Sequence, residues 1–563
     1  MQFITKAYKY RELLKAAHEN NRENICSIKI LLVTDWSSQF FEQALSSVCK
    51  LGGLNCEITS IINEDLELSM MSLDKSVVYD FLVIVPEYQV LRKRLFHGSD
   101  IGIEINRMQR ICDSAENITN NVVIANYIYE ANECFGGDEH YTSCAKKINF
   151  YLCDRSIEDE KITCMDLFGL VSIYGQNHVI NKGQYYNSKC AFNFDFLAEM
   201  ARRLYNLIAY RSGCRIKCIV LDFDDTLYGG TLVEDGVDGV ILGGIGQGES
   251  YIDLQMWLQE RKREGILLAG CTKNDECLLQ KLFDTNSQMI LKKDDFVVLC
   301  ANWKDKYKNI IDISEKLNIY MDSIMFLDDQ IFERNAMREM LPDVYVPELS
   351  DYAENRVLQL ENMGVFFGGE NVLKQNRTKL IKDESVRAEE VSHFCSFEDY
   401  LSSLKMTMVV EPINANNIQR VSELSMRSNR FNVRTQRYTI SDLKAFDGNE
   451  NIISYCFSLS DRIGEYGLIG VIIIRVINNE TCFIENLFMS CRVLNRGVED
   501  FMMNTLVEEL SKKDYKIIVG EYLPTAKNGM MSSFYEKYGF KGSQENMILK
   551  IEEYSKKDNC IVL

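Results

Sequence analysis

Residues 218–230 read CIVLDFDDTLYGG. An apolar run, Cys218 to Leu221, stops on Asp222, Asp224 and Asp225, then Thr226, then glycines at 229 and 230. A short apolar run bounded by turn residues is the pattern of a strand buried on both faces of a parallel sheet. Open parallel sheets bind ligands outside the carboxyl ends of their strands. Carboxylates gathered at such an end repel one another unless a cation offsets them, and hard oxygen ligands suit Mg²⁺. The stretch therefore predicts a buried strand that ends on a divalent-cation site.

Three more strand ends supply matching parts. ILLAG (266–270) is followed by Thr272, NWKDKYKN brings Lys306 to the start of a helix, and IMFL (324–327) stops on Asp328 and Asp329. FVVL (296–299) is a further strand, and Ile310, Ile313 and Leu317 fall on one helical face. Strand–helix–strand order predicts a doubly wound parallel sheet in an α/β, multidomain chain. The ordered set Asp-x-Asp-x-Thr, hydroxyl, lysine, Asp-Asp resembles the haloacid dehalogenase (HAD) superfamily of phosphotransferases.

That resemblance assigns roles. Asp222 would be the nucleophile that becomes an aspartyl phosphate, and Asp224 the general acid and base. Thr272 and Lys306 would hold phosphoryl oxygens. Asp222, the backbone carbonyl of Asp224, Asp328 and Asp329 would hold Mg²⁺. Asp225 reads as a polar helix-start residue, and Gly229 and Gly230 as turn residues.

A narrower likeness runs through LDFDDTLYGGTLVEDGVDGVILG, LLAGCTKNDE, NWKDKYKNI, LNIYMDSIMFLDD and PDVYVPELS. It continues through SNRFNVRTQRYT (428–439), SDRIGEYGLIG, MSCRVLNRGVE and GEYLPTAKN (520–528). These segments resemble the FkbH-like proteins, HAD subfamily IIIC, bacterial enzymes of polyketide and related pathways. Members are associated with making a glyceryl-acyl carrier protein from 1,3-bisphosphoglycerate. The resemblance implies a phosphorylated three-carbon acyl phosphate as substrate and an acyl carrier protein as partner. The chain departs from the family at Gln330-Ile331, where Asn-Pro is usual, at Phe223 and Asp225, where Leu and Asn are usual, and at Thr272, where serine is usual. None of these removes a catalytic group.

The same likenesses divide the chain. Residues 1–200 alternate strands (28–34, 80–85, 121–127) with helical patterns and resemble a degenerate SGNH-hydrolase-like domain. TDWSS (34–38) sits at the nucleophile's place and Asn126 follows a strand, but no Asp-x-x-His is visible and the chain has only five histidines. A docking or scaffold role is expected there. The HAD-like unit takes residues 213–370, a charged linking helix 371–395, and a GNAT-like acyltransferase unit 396–555.

FYEKYGF (534–540) resembles the last part of GNAT-type acyltransferases. Their pyrophosphate-binding turn would fall on Arg492-Val-Leu-Asn495-Arg496-Gly497, with Asn495 in a glycine position that asparagine tolerates. Helix-start N–H groups there would meet the phosphates of CoA, or the phosphopantetheine of a carrier protein. Cys491, just before the turn, would take the glyceryl group as a thioester, its thiolate favoured by Arg492 and Arg496. A buried strand-end cysteine is the other reading. The alternative for the whole chain is a small-molecule phosphatase with a CoA-binding or acetyltransferase domain.

Composition agrees with a large globular enzyme. The chain has 563 residues, enough for three or four domains. A net charge of -19 argues against nucleic acid and anionic membrane as partners. Nineteen cysteines without a C-x-x-C pair, no signal-peptide pattern and no long apolar run read as a cytoplasmic chain with mostly free thiols. Arg420, Arg427, Arg430, Arg434 and Arg437 stand against one acid, Glu423. They read equally as a site for phosphate or an acidic carrier, or as a solvated face. The ending Cys560–Leu563, CIVL, fits the C-a-a-X pattern and reads as a chance match.

Overall fold

Uninterrupted β-branched and apolar runs such as FLVIV, VVIA and IMFL become short strands buried along their whole length. The structure, a computed structural model, describes residues 2–20, 26–73, 77, 79–129, 140–159, 161–317, 319–367, 401–428, 430–438, 440–446, 449, 451–490, 493–494, 496–525 and 528–562. The expected linking helix at 371–395 lies outside the described residues.

Three sheets form. The first contains β1 (Cys26–Thr34), β2 (Leu54–Ile62), β3 (Phe81–Val85), β4 (Val122–Ala125) and β5 (Ile162–Met165). It is wholly parallel, in the order β2-β1-β3-β4-β5. The second contains β6 (Cys218–Leu221), β7 (Leu267–Thr272), β8 (Phe296–Ala301) and β9 (Ile324–Leu327). It is also parallel, in the order β8-β7-β6-β9.

The third sheet contains β10 (Thr407–Glu411), β11 (Ile452–Ser460), β12 (Glu465–Val476), β13 (Thr481–Met489), β14 (Ile517–Gly520), β15 (Lys541–Ser543) and β16 (Asn546–Lys550). Its order is β10-β11-β12-β13-β14-β16-β15, and only β13 and β14 run parallel.

The first two sheets share one hydrophobic core. The helix Phe194–Arg211 contributes to that core, with apolar residues buried on most of its faces. Its Arg202 donates to the carbonyls of Ile4 (2.9 Å), Asn362 (2.9 Å) and Met363 (2.5 Å). Asn206 donates to Ile4, Met363 and Gly364 carbonyls and accepts from the Ile4 N–H. Glu199 balances Arg202 and Arg203, each at 2.7 Å.

The arginine-rich segment is taken up internally. Arg420 pairs with Glu423, Arg434 with Glu485 and Glu521, Arg430 lies 4.8 Å from the Tyr320 ring centre, and Arg437 donates to the Ser212 carbonyl. The Arg427 side chain lies outside the described residues. Among the described residues, no helix is long and apolar enough to cross a membrane.

Arg202→Ala removes one partner of a buried ion pair and takes one donor from each of the three carbonyls, leaving them Asn206 or Arg203. A loss of about 3 kcal/mol or more is expected, read as a lower urea unfolding midpoint. Arg263→Ala, at an exposed helix position, should leave the midpoint where it is.

Candidate active site

The register of the second sheet builds the site. Leu221 of β6 lies beside Leu327 of β9, and the Asp222 N–H extends the ladder to the Leu327 carbonyl at 2.9 Å. Asp222 and Asp328 thus leave the sheet side by side. β7 flanks β6 on the other side and ends on Thr272, while Lys306 opens the helix Lys306–Leu317 after β8. Behind the site, the Phe223 ring packs on Phe283 and Phe296. Gly270 makes room for it: a Cβ there would come within 2.9 Å of the Phe223 ring and 2.4 Å of Leu299.

The five acidic and basic groups named from the sequence meet in two clusters. Lys306 Nζ donates to Asp328 Oδ2 at 2.7 Å and lies 3.0 Å from Asp222 Oδ2, with all three side chains buried. Asp222, Asp328 and Asp329 each offer an oxygen within 4.8 Å of the others. Three carboxylates against one ammonium leave net negative charge inside the protein, and the donors are all hard oxygens. This set fits a divalent cation such as Mg²⁺. Thr226 completes it, accepting from the Asp329 N–H at 3.1 Å and lying 3.2 Å from Asp329 Oδ1.

Asp224 faces a second set of partners. Its Oδ1 accepts from the Tyr228 hydroxyl (2.8 Å), the Leu232 N–H (3.1 Å) and Asn274 Nδ2 (3.0 Å). Asn274 Nδ2 also donates to Thr272 Oγ1 at 2.9 Å. Burial and the charge of Asp224 raise the Tyr228 hydroxyl, which therefore stays protonated and donates.

Burial pushes the Asp222 carboxyl up from 3.8 to about 7; Lys306 pulls it down and Asp328 pushes it up. Asp328 and Asp329 are raised too, chiefly by burial. Lys306 is held charged by Asp222 and Asp328 against its own burial.

Asp225 is a correction. No helix starts there; its φ is 48°, its Oδ1 accepts from the Gly230 N–H at 2.8 Å, and it closes a turn. Two buried arginines that the sequence reading passed over hold the loops. Arg334 donates to the carbonyls of Asp328 (2.9 Å) and Asp329 (2.5 Å), and Arg356 to the carbonyl of Asp225 (2.7 Å). Asn274 and Tyr228 were passed over as well. Only their nearness in sequence to Thr272 and Asp224 could have flagged them.

In the third sheet, Cys491, Arg492 and Asn495 lie outside the described residues. Gly497 takes a left-handed φ of 76° and caps the helix Val498–Lys512, and Arg496 stacks on the Tyr466 ring. β14 pairs with β13 only from Thr481 to Phe483. Beyond that, Val433 donates to the Leu487 carbonyl and Met489 to that of Phe431, so the chain's own segment lines this edge of β13.

In the first sheet, Asp35 at the end of β1 accepts from the Glu87 N–H at 2.7 Å. Ser38 donates to Glu42, and Asn126 bonds Asp166 and the Phe168 N–H. No histidine hydrogen-bonds Ser37 or Ser38 among the described residues.

No protein-family model matches the chain, and no curated protein matches it. Among solved structures, it is similar to the N-terminal part of the protein BF1531 from Bacteroides fragilis, which contains a phosphatase domain complexed with Mg. Identity is 27%, the TM-score 0.60, and the match covers 65% of this chain and 100% of that one. Shorter likenesses, each over 26% of this chain, are to the ribosomal-protein-S18-alanine N-acetyltransferase of Escherichia coli (16% identity, TM-score 0.21, 94% of that chain) and to the spermidine/spermine N-acetyltransferase SpeG of Vibrio cholerae (13%, 0.21, 95%). The chain is a multidomain α/β protein whose second sheet is HAD-like.

Mg²⁺ should raise the melting temperature, and Asp329→Asn, which leaves Lys306 its two partners, should remove most of that rise. The pH dependence has a fixed sign. In metal-free protein the native state keeps a proton on Asp222 that the unfolded state has lost, so this group's contribution to stability falls as pH rises from about 4 to about 7. Melting curves at about pH 5 and about pH 8 with EDTA should show a steeper fall for the wild type than for Asp222→Asn.

Proposed function

We propose that this chain is a Mg²⁺-dependent phosphatase acting through a phosphorylated Asp222, on a three-carbon substrate whose acyl group passes to an acyl carrier protein. The observation that carries the phosphatase half is the meeting of Asp222, Lys306, Asp328 and Asp329 at adjacent strand ends. The likeness to a phosphatase domain crystallised with Mg supports it.

Asp222, Asp328 and Asp329, with the Asp224 carbonyl, would hold the cation, which when bound offsets charge on the phosphoryl oxygens. An Asp222 oxygen attacks phosphorus, the bond from phosphorus to the leaving oxygen breaks, and Asp224 gives that oxygen its proton. Water then adds to phosphorus, Asp224 takes the water's proton, and the Asp222–phosphate bond breaks to release inorganic phosphate. Lys306 holds Asp222 in line, and the Thr272 hydroxyl donates to a phosphoryl oxygen.

The finer reading rests on the FkbH-like motifs. 1,3-Bisphosphoglycerate carries a phosphate ester at one end and an acyl phosphate at the other. The ester end goes to Asp222. At the acyl end a thiolate attacks the carboxyl carbon, phosphate leaves and a thioester forms. Exchange with the carrier's phosphopantetheine thiol restores the first thiol and completes transfer. Cys491 is the proposed first thiol, and the turn ending on Arg496 and Gly497 the place where the arm's phosphate meets helix-start N–H groups.

One observation favours a second reading, a plain small-molecule phosphatase. Phe431 and Val433 already pair with β13 where β14 leaves it. An arm entering between those strands requires that segment to withdraw.

Incubation with 1,3-bisphosphoglycerate, Mg²⁺ and a holo-carrier protein should add a glyceryl mass to the carrier, read by intact-protein mass spectrometry. Phosphate release without that mass selects the plain phosphatase. Asp222→Asn should abolish phosphate release and the acid-stable phosphoenzyme alike; turnover in that variant refutes the nucleophile.

A further inference from the structure

We infer that Asn274 and Tyr228 are positioning residues that turn the acid–base carboxyl and the phosphoryl-binding hydroxyl toward the substrate. The inference deepens the phosphatase reading and rests on it.

All three hydrogen bonds given to Asp224 fall on one oxygen, Oδ1, from Tyr228, Leu232 and Asn274. A carboxylate oxygen offers about two lone pairs, so Oδ1 is saturated. A proton in transit belongs on Oδ2, which has no protein partner among the described residues. Two donors come from the loop after Asp224 and the third from the loop after β7, so the carboxyl is held from two segments of the chain.

The amide of Asn274 ties this carboxyl to the second group. Its Nδ2 reaches both Asp224 Oδ1 and Thr272 Oγ1, which uses both of its N–H bonds. A flipped amide would set its carbonyl oxygen against the carboxylate, so charge decides the orientation. Thr272 Oγ1 is therefore an acceptor toward Asn274, and its own proton points elsewhere. Among the described residues no acceptor takes that proton, and a phosphoryl oxygen is the group that would.

Asn274 carries a cost for this. Its side chain is 1% exposed and its Oδ1 has no hydrogen-bond partner among the described residues. A buried orphan acceptor in a folded chain calls for an explanation, and the two bonds made by Nδ2 supply it. Tyr228, fully buried, donates to Asp224 and makes no hydrogen bond to Thr272 among the described residues.

The two variants separate the two effects. Tyr228→Phe takes a donor from Asp224 and leaves the bond from Asn274 to Thr272 in place, so it should slow aryl phosphates in proportion to how much their leaving group needs a proton. The loss in kcat/KM should be about 10- to 100-fold larger for phenyl phosphate than for 2,4-dinitrophenyl phosphate, a fraction of what general acid catalysis supplies. Inhibition by inorganic phosphate should stay as in the wild type. Asn274→Ala should show the same leaving-group dependence and also weaken inhibition by inorganic phosphate. Melting curves establish that each variant is folded, and Tyr228→Phe alone decides the matter if Asn274→Ala is not.

Equal losses across the ester series, or none, in a folded variant overturn the inference while the phosphatase stands. A wild-type protein that releases no phosphate from any ester overturns the phosphatase reading and this inference with it.

Discussion

One ammonium group makes the second sheet's carboxyl edge possible. Lys306 Nζ lies within hydrogen-bond reach of both Asp222 and Asp328, in a place where none of the three side chains meets water to any extent. Without it, three carboxylates would face one another in a medium that screens little, and one or more would stay protonated or the strand ends would part. With it, the site keeps a residual negative charge that fits a divalent cation. The sheet order sets β7 and β6 between β8 and β9, and the chain carries Lys306 back over β7, where its carbonyl accepts from Cys271, so the side chain has only to cross from β7 to Asp222 and Asp328. A lysine suits that crossing: a long, compact point charge reaches between two carboxylates without the planar demands of a guanidinium.

How much of this could be read in advance depends on sequence distance. Each strand of the second sheet is a local event, a run of apolar residues stopped by polar ones, and Asp222, Thr272 and Asp328 were visible because each sits at its own run's end. Register is not local. That Leu221 lies beside Leu327, and so Asp222 beside Asp328, comes from packing over a hundred residues of chain. β2 was missed because LNCEITSII alternates with polar residues and buries one face only. β5 was missed because ITCM is short and half-buried. Asn274, Arg334 and Arg356 act on loops 50, 5 or 6 and 131 residues away. Nothing in the residues around them names those targets, since a buried polar side chain in a sequence looks the same whether it supports a catalytic loop or caps a helix.

The third sheet shows the reverse case, where motifs were legible and their use is not. β13 and β14 are its one parallel pair, and they stay together for three residues. A parallel pair set into an antiparallel sheet cannot be joined by a tight turn, so the helix Val498–Lys512 makes the crossover and Gly497 its entry. The wedge that opens beyond Phe483 must satisfy the backbone of β13 in some way. Phe431 and Val433 do so, and Asn528 fixes that segment by donating to the Asn432 carbonyl. Any ligand arm that uses this edge competes with hydrogen bonds already made, and its affinity is reduced by the cost of displacing them.

The first unit reaches the loop after Asp222 by a continuous physical route. Its strand ends are occupied by their own contacts: Asp35 with the Glu87 N–H, Asn126 with Asp166 and Phe168. Burial also raises the Asp35 carboxyl well above its ordinary value. The helix Phe194–Arg211 instead turns Arg202 and Asn206 onto the carbonyls of Asn362, Met363 and Gly364. Those residues end the helix Arg356–Asn362, whose first residue holds the Asp225 carbonyl. A seven-residue helix has little stability of its own, so its position depends on its neighbours: the shared core around Leu360 and the contacts at its two ends. Arg356 holds the turn after Asp224 at one end of this helix, and Arg202 and Asn206 hold the residues at the other. The first unit thus anchors the helix whose Arg356 holds the loop after Asp224.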